Sequence, residues 1–207
     1  LAVSVTTAKY MGAITSTGAQ TYGDTDGTDT ITLGVDTTLT ALDSGSTVTF
    51  NAPLEGQAHS LDVIGNAVFG DTTGDDTATG LASLTVSGTT EINTTTITST
   101  GAQAYGDATG TDTITLGDNT TLTGSTVTFN APLDGQAHSL AITGNAVFGD
   151  STGDDRLTVT LIVDGPPSEG VVADLPIGLE RPRHVRALQK DRHFLELYAH
   201  VWEKLEE

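Results

Sequence analysis

The chain contains no cysteine, which excludes disulfides, thiolate metal sites and a cysteine nucleophile. It does not exclude secretion, since a chain of 207 residues can build a core without such staples. Basic residues are scarce, 8 against 27 acidic ones, giving a formal net charge of -19. A polyanion repels phosphate backbones, so nucleic acid is excluded as a partner for the bulk of the chain. Aromatic residues make up only 5%, too few to fill the wide core between two packed sheets. No run of 18 apolar residues occurs, so no segment reads as a membrane-spanning helix. The chain starts at Leu1 rather than Met and shows no basic-then-apolar leader. That start points to a processed chain or a fragment.

What is present divides into two regimes. Residues 1–155 hold 18 acids and one base, Lys9, set among Thr, Gly and sparse Val, Ile and Leu. Residues 156–207 hold 9 acids and 7 bases and include the single Trp202. Gly165-Pro166-Pro167 marks the boundary, because two prolines remove two amide donors and break any strand ladder. The organisation expected is a repeat domain over 1–165, a Pro/Gly linker over 166–181 and an amphipathic helix over 182–207.

The first regime is an internal repeat. Residues 14–40 and 97–123 match at 22 of 27 positions with an offset of 83. Residues 45–76 and 124–155 match at 27 of 32 with an offset of 79. The offset falls by four because Ala41, Leu42, Asp43 and Ser44 have no counterpart. The units are therefore about 14–96 and 97–165.

Within a unit, short segments alternate β-branched or apolar residues with Thr or Ser. Thr30–Leu33, Thr37–Thr40, Thr47–Asn51, Ser60–Ile64, Ala67–Phe69, Ser83–Ser87 and Thr94–Thr98 all show the period of two that marks a half-buried strand. Gly, Asp and Asn between them supply turn conformations. The fold class expected is all-β, a β-solenoid (parallel β-helix), with an antiparallel β-sandwich as the alternative. Three features favour the solenoid. An 83-residue unit divides into four coils of about 21 residues, a narrow core accepts Val, Ile, Leu and Ala, and near-identical tandem units suit rungs that touch only their neighbours. Leu157–Asp164 fits the rung that Leu81–Ser87 fills in the first unit.

The strings STGAQTYGD, TITLG, DTTLT, GSTVTFNAPLEGQAHSL, IGNAVFG and LASLTVSGTTEIN, in this order, resemble the tandem repeats of very large secreted bacterial adhesins, the filamentous-haemagglutinin-like surface proteins of two-partner secretion and related routes. The resemblance covers about residues 12–165 and leaves out the tail from Val171. It implies an extracellular or cell-surface β-helical stalk or filament used in adhesion, with no catalytic residue and no cofactor.

Several residues invite chemistry. Asp24, Asp26 and Asp29 alternate around Gly27 as calcium ligands do, but the second copy, Asp107 to Asp112, has lost one carboxylate. Solvated Asp turns are the preferred reading, no metal site is assigned, and millimolar Ca²⁺ is expected to add little thermal stability. His59 and His138 recur within GQAHSL. Stacked coils could bring them to one face, yet one His per unit is no metal cluster, and the adjacent Ser60 and Ser139 point to the opposite face of a strand. The Thr pairs Thr30/Thr32, Thr47/Thr49 and Thr94/Thr96 suggest an ice-binding ladder, against the simpler reading of Thr as a soluble β-former. The repeat region offers one Lys and no Arg before residue 156, which argues against a carboxylate-and-base groove of the polysaccharide-cleaving kind. The chain is expected to be non-enzymatic.

In the tail, Val185, Leu188, Leu195, Tyr198, Trp202 and Leu205 recur at helical spacings. Bases gather in its first half and acids in its last turns, against the helix dipole. Leu188, Leu195, Tyr198, Trp202 and Leu205 are the expected contacts, either capping the solenoid or meeting another subunit. Expected partners are copies of the chain or neighbouring subunits, with surface glycans or Ca²⁺ as ligands of the alternative, a binding module.

Overall fold

A computed structural model describes residues 2–3, 7–9, 12–25, 29–71, 76–107, 111–149 and 156–164. These form a parallel β-solenoid, which settles the choice against the antiparallel sandwich. The linker over 166–181 and the helix over 182–207 lie outside the described residues.

Nineteen strands occur among the described residues. In chain order they are β1 (Ala2–Val3), β2 (Thr7–Lys9), β3 (Ala13–Ser16), β4 (Gln20–Tyr22), β5 (Ile31–Leu33), β6 (Thr37–Ala41), β7 (Thr47–Phe50), β8 (Leu54–Glu55), β9 (Leu61–Ile64) and β10 (Asn66–Phe69). There follow β11 (Thr77–Leu81), β12 (Leu84–Val86), β13 (Thr90–Ile92), β14 (Thr96–Ser99), β15 (Gln103–Tyr105), β16 (Ile114–Leu116), β17 (Thr120–Phe129), β18 (Leu133–Phe148) and β19 (Leu157–Asp164). Up to β14 every strand pairs in parallel with the third strand after it: β4 with β7, β5 with β8, β6 with β9. The coil is therefore a triangle with three faces. The long strands β17, β18 and β19 run through corners and contribute to two or three faces each.

Alternation drives the coil closed. Along β6 the burial runs buried, half-buried, buried, half-buried, buried, with Thr37, Leu39 and Ala41 inward. All three faces turn their apolar row into one core of Val, Ile, Leu and Ala. Aromatic rings enter as two stacks. Tyr22, Phe50 and Phe69 lie with centroids 5.9 and 5.1 Å apart, and Tyr105, Phe129 and Phe148 lie 5.6 and 5.1 Å apart. At the corner after β4, Gly23 has φ +74, and a Cβ there would meet the Ala52 Cβ at 2.5 Å. Only glycine satisfies both the backbone angle and the approach of the next coil.

Coil length is not constant. Thr21 lies 19 residues after its partner Ala2, and 28 before its partner Thr49. The wide coil accommodates the loop after Asp24 and the four-residue insertion Ala41–Ser44. One unit from β3 to β13 holds eleven strands, and β14 begins the next. Eleven strands on a three-strand coil make three and two-thirds coils, not the four expected from length alone. Each repeated segment consequently lands one face back from its twin. The Tyr22 stack runs along the face of β4, β7 and β10, whereas the Tyr105 stack runs along the face of β15 and the later parts of β17 and β18. The strands that sequence alternation misses, β4, β8, β11 and β13, supply the difference. They are short, and β4 carries an inward Gln20.

The rung expected from Leu157–Asp164 is formed. Leu157 pairs with Leu133 and Leu161 with Leu140, the places that Ala78 and Leu84 take on Leu54 and Leu61 in the first unit.

Candidate functional surfaces

A glutamine–tyrosine pair sits inside the core of each unit, with its polar groups hydrogen-bonded. The Tyr22 hydroxyl donates to Gln20 Oε1 at 2.5 Å, and Gln20 Nε2 donates to the Thr40 carbonyl at 2.8 Å. The second unit repeats this with Tyr105 to Gln103 at 2.9 Å and Gln103 to Thr123 at 2.8 Å. The pair ties one strand to the chain at the neighbouring corner and disfavours slippage, because a shifted register would strand a buried amide. Burial pushes the Tyr22 phenol up to about 12, and raises that of Tyr105 further. The Gln–Tyr pair is structural and is legible in the sequence only as the recurrent Gln-x-Tyr.

The histidines occupy corners. The turn before His59 holds Gln57 at φ 49 and Ala58 at φ 62, and the turn before His138 holds Gln136 at φ 48 and Ala137 at φ 74. Two successive non-glycine residues in the left-handed region are costly, by about 1–2 kcal/mol each. The turn is held by the His59 N–H donating to the Gly56 carbonyl at 2.8 Å and by the coil beneath. Asp36 Oδ1 accepts the Ser60 N–H at 2.9 Å and lies 3.5 Å from His59 Nδ1. In the second unit Asn119 takes this place, accepting the Ser139 N–H at 2.8 Å. Because the unit is not a whole number of coils, the two His turns stand at different corners: His59 between β8 and β9, His138 within β18. The expectation that stacking could align them on one face is corrected.

The carboxylate turns brace their own loops. The Asp71 N–H donates to Asp76 Oδ2 at 2.9 Å, and the Asp107 N–H to Asp112 Oδ2 at 3.4 Å. Burial raises the Asp112 carboxyl above the usual range, and the charge of Asp107 adds to the rise. Asp24 and Asp29 flank the first such loop, and Asp26 lies outside the described residues. Among the described residues no three His, Asp or Glu side chains converge on one point.

The threonine rows are interrupted. Thr96 and Thr98 lie beneath Thr121 and Thr123, but the next rung places Ala141 beside Thr143. Thr94 is buried rather than presented. On the first face Thr49 is followed by Val68, Glu91 and Thr115. The rotation of the unit disperses equivalent threonines over three faces.

The surface that sequence reasoning did not single out is the last rung. Phe148 is 38% exposed and Leu157 43%, whereas Phe69, the twin of Phe148, is 1% exposed. A shallow cavity there is lined by Phe129, Ala131, Leu133, Phe148, Arg156 and Leu157. The available signal was the repeat itself, since residues 77–96 of the first unit have only Arg156–Asp164 as counterpart. Leu188, Leu195, Tyr198, Trp202 and Leu205 lie outside the described residues. No helix among the described residues is long and apolar enough to cross a membrane. No family model matches the chain, and neither curated proteins nor solved structures match it.

Proposed function

We propose that the chain is a non-enzymatic extracellular structural protein, a segment of β-solenoid stalk or filament that supports adhesion at a bacterial cell surface. The observation that carries this reading is the seam between the two units. Ile97 of the second unit pairs with Ala78, and Tyr105 with Val86, in parallel and in the same buried core as rungs inside a unit, with one register shift between Ala78 and Leu81. Units join without a specialised junction, so length can grow by repetition, at roughly 18 Å per unit for a rung spacing of about 4.8 Å. The acidic corners and polar faces keep the sides of such a rod from pairing laterally. Display of the chain on a non-adherent bacterium tests the adhesive part. Attachment to host cells or abiotic surfaces is expected to rise above that of an unrelated displayed domain of equal size, and no rise overturns the adhesive reading.

The second reading is a glycan-binding module. A shallow cleft on one face, floored in part by Pro132 and Leu133 and more apolar than polar, carries Thr115, Asp134, Arg156 and Thr158, and Arg156 replaces the Thr77 of the first unit. A carboxylate, a guanidinium and hydroxyls suit a hydroxyl-rich ligand. Saturable signals on a glycan array, lost in Arg156→Thr, favour it over the plain scaffold.

A further inference from the structure

Three departures from the repeat meet on one side of the second unit. Glu91, Thr115, Asp134 and Thr158 are register partners on four successive rungs and form one outward row. Glu91, Asp134 and Thr158 are exposed, and Thr115 is half-buried. The equivalent row of the first unit reads Ala8, Thr32, Glu55 and Thr79, so the carboxylate that begins the row belongs to the second unit alone. At the other end Arg156 stands where the first unit has Thr77. The third departure lies at the corner beside the row. Asp36 lies 3.5 Å from the His59 imidazole. Its twin Asn119 is uncharged, and its oxygen accepts the Ser139 N–H at 2.8 Å and the Ser139 hydroxyl at 3.0 Å. Among the described residues His138 makes no ion pair, so the same turn is tied to its corner in one unit and released in the other.

The row runs through two adjoining depressions. Glu91, Thr115, Gln136 and His138 line the first, and Thr115, Asp134, Arg156 and Thr158 the second, so Thr115 is common to both. Asn93 Nδ2 donates to Glu91 Oε1 at 3.0 Å, which leaves the other carboxylate oxygen to accept from a ligand. Pro132 and Leu133 add apolar floor to the second depression. Acceptors, an imidazole, a guanidinium and hydroxyls beside small apolar patches suit sugar rings, which carry hydroxyls on their rims and C–H groups on their faces. Four rungs leave three intervals of about 4.8 Å, roughly 14 Å in all, the length of about three linked sugar rings. A metal ion would need convergent ligands, and among the described residues no three His, Asp or Glu side chains converge. An extended peptide adds to an unpaired strand edge, whereas β13, β16 and the start of β18 are paired on both sides.

We propose that this row binds a linear oligosaccharide of about three rings along the solenoid axis, with Glu91 and His138 at one end and Asp134, Arg156 and Thr158 at the other. The proposal rests on the glycan-binding reading of the Arg156 cleft and adds the length and direction of the ligand. The first unit, with Ala8, Thr77 and a tied His59 at the matching positions, is the unspecialised copy of the same surface.

Reverting each departure to the first unit's residue tests the proposal, and these residues already occur on the same local fold. The full chain is applied to an array of linear glucose, N-acetylglucosamine and galacturonic acid oligomers, from the single sugar to about the pentamer. Binding is expected to strengthen up to about the trimer and then level off. Glu91→Ala should weaken trimer binding by about fivefold or more, and so should Asn119→Asp, which ties His138 as Asp36 ties His59. His59→Ala, at the matching turn of the first unit, should leave it unchanged. Circular-dichroism spectra check that each variant is folded, and Thr115→Ala at the middle of the row replaces any that is not. Binding that levels off at the single sugar overturns the extended groove and leaves the cleft reading standing. So does trimer binding that is lost in Arg156→Thr yet indifferent to Glu91→Ala and Asn119→Asp. No binding to any oligomer overturns both.

Discussion

Phe69→Ala and Phe148→Ala remove the same ring from the same local sequence, Gly-Asn-Ala-Val-Phe-Gly-Asp, yet their costs should differ. Full burial of a phenylalanine side chain is worth about 1.5–3 kcal/mol in transfer from water. Phe69 is 1% exposed, stacked on Phe50 at 5.1 Å and covered by Ile92. Its removal leaves a closed cavity between rungs, and the expected loss is about 3–5 kcal/mol. Phe148 stacks on Phe129 at the same 5.1 Å but keeps 38% of its surface in water. Its transfer term is smaller by more than a third, and the space it vacates opens to solvent, so the cavity term largely disappears. A loss of about 1–2 kcal/mol follows. The assay is urea unfolding followed by far-ultraviolet circular dichroism, at protein concentrations too low for chains to meet. Equal slopes of free energy against urea are required, since a rung-by-rung solenoid can lose two-state behaviour. Equal losses for the two substitutions would refute the reasoning, because they would mean that Phe148 is as enclosed as Phe69.

Alkaline pH should unfold the chain through its buried tyrosines. Below pH 10 both folded and unfolded phenols are protonated and stability is unaffected; above it the unfolded chain ionises first, so stability falls as pH rises towards the raised Tyr22 value of about 12, by about 1.4 kcal/mol per pH unit per tyrosine. Tyrosinate absorbance in the still-folded protein checks this, and titration of all four tyrosines near pH 10 contradicts it. Gly56→Ala should cost about 1–3 kcal/mol through overpacking, because a Cβ there meets the Leu81 Cα at 2.7 Å, while Gly18→Ala, with nothing within 4 Å, should be nearly neutral; thermal melts of the two separate these outcomes. Ala58→Gly and Ala137→Gly should each stabilise by about 0.5–1 kcal/mol, the left-handed strain relieved less the entropy glycine adds to the unfolded chain, and a lowered melting temperature would show that the turn is not strained.

Much of this molecule is legible without coordinates. All seven segments with a period of two became strands, and their apolar positions became the core except Ile64 and Val68, which fall on the outward phase, because inward burial on a sheet follows from alternation. The recurrence of Gln-x-Tyr and of the His turn was equally visible. The strands that escaped, β4, β8, β11 and β13, are two to five residues long and each contains a Gly, Glu or Gln, so no apolar periodicity stands out in their sequence. They are strands because a neighbouring coil supplies partners for their backbone, a force that leaves little mark on composition.

The sequence by itself determined that the chain repeats, which residues face inward, and that the stacked object is acidic and polar on its sides. Only the tertiary structure decided how many strands close a coil. That number depends on backbone pairing between residues 18 to 28 positions apart, and no local pattern encodes it. Once the coil closes with three strands, an eleven-strand unit must rotate by a third of a turn, so identical segments lie on different faces while pairing with equivalent neighbours. Phe69 is core because β13 lies over it, and Phe148 is rim because no described strand lies over it: burial belongs to the rung above a residue, and the residue's own sequence does not contain it.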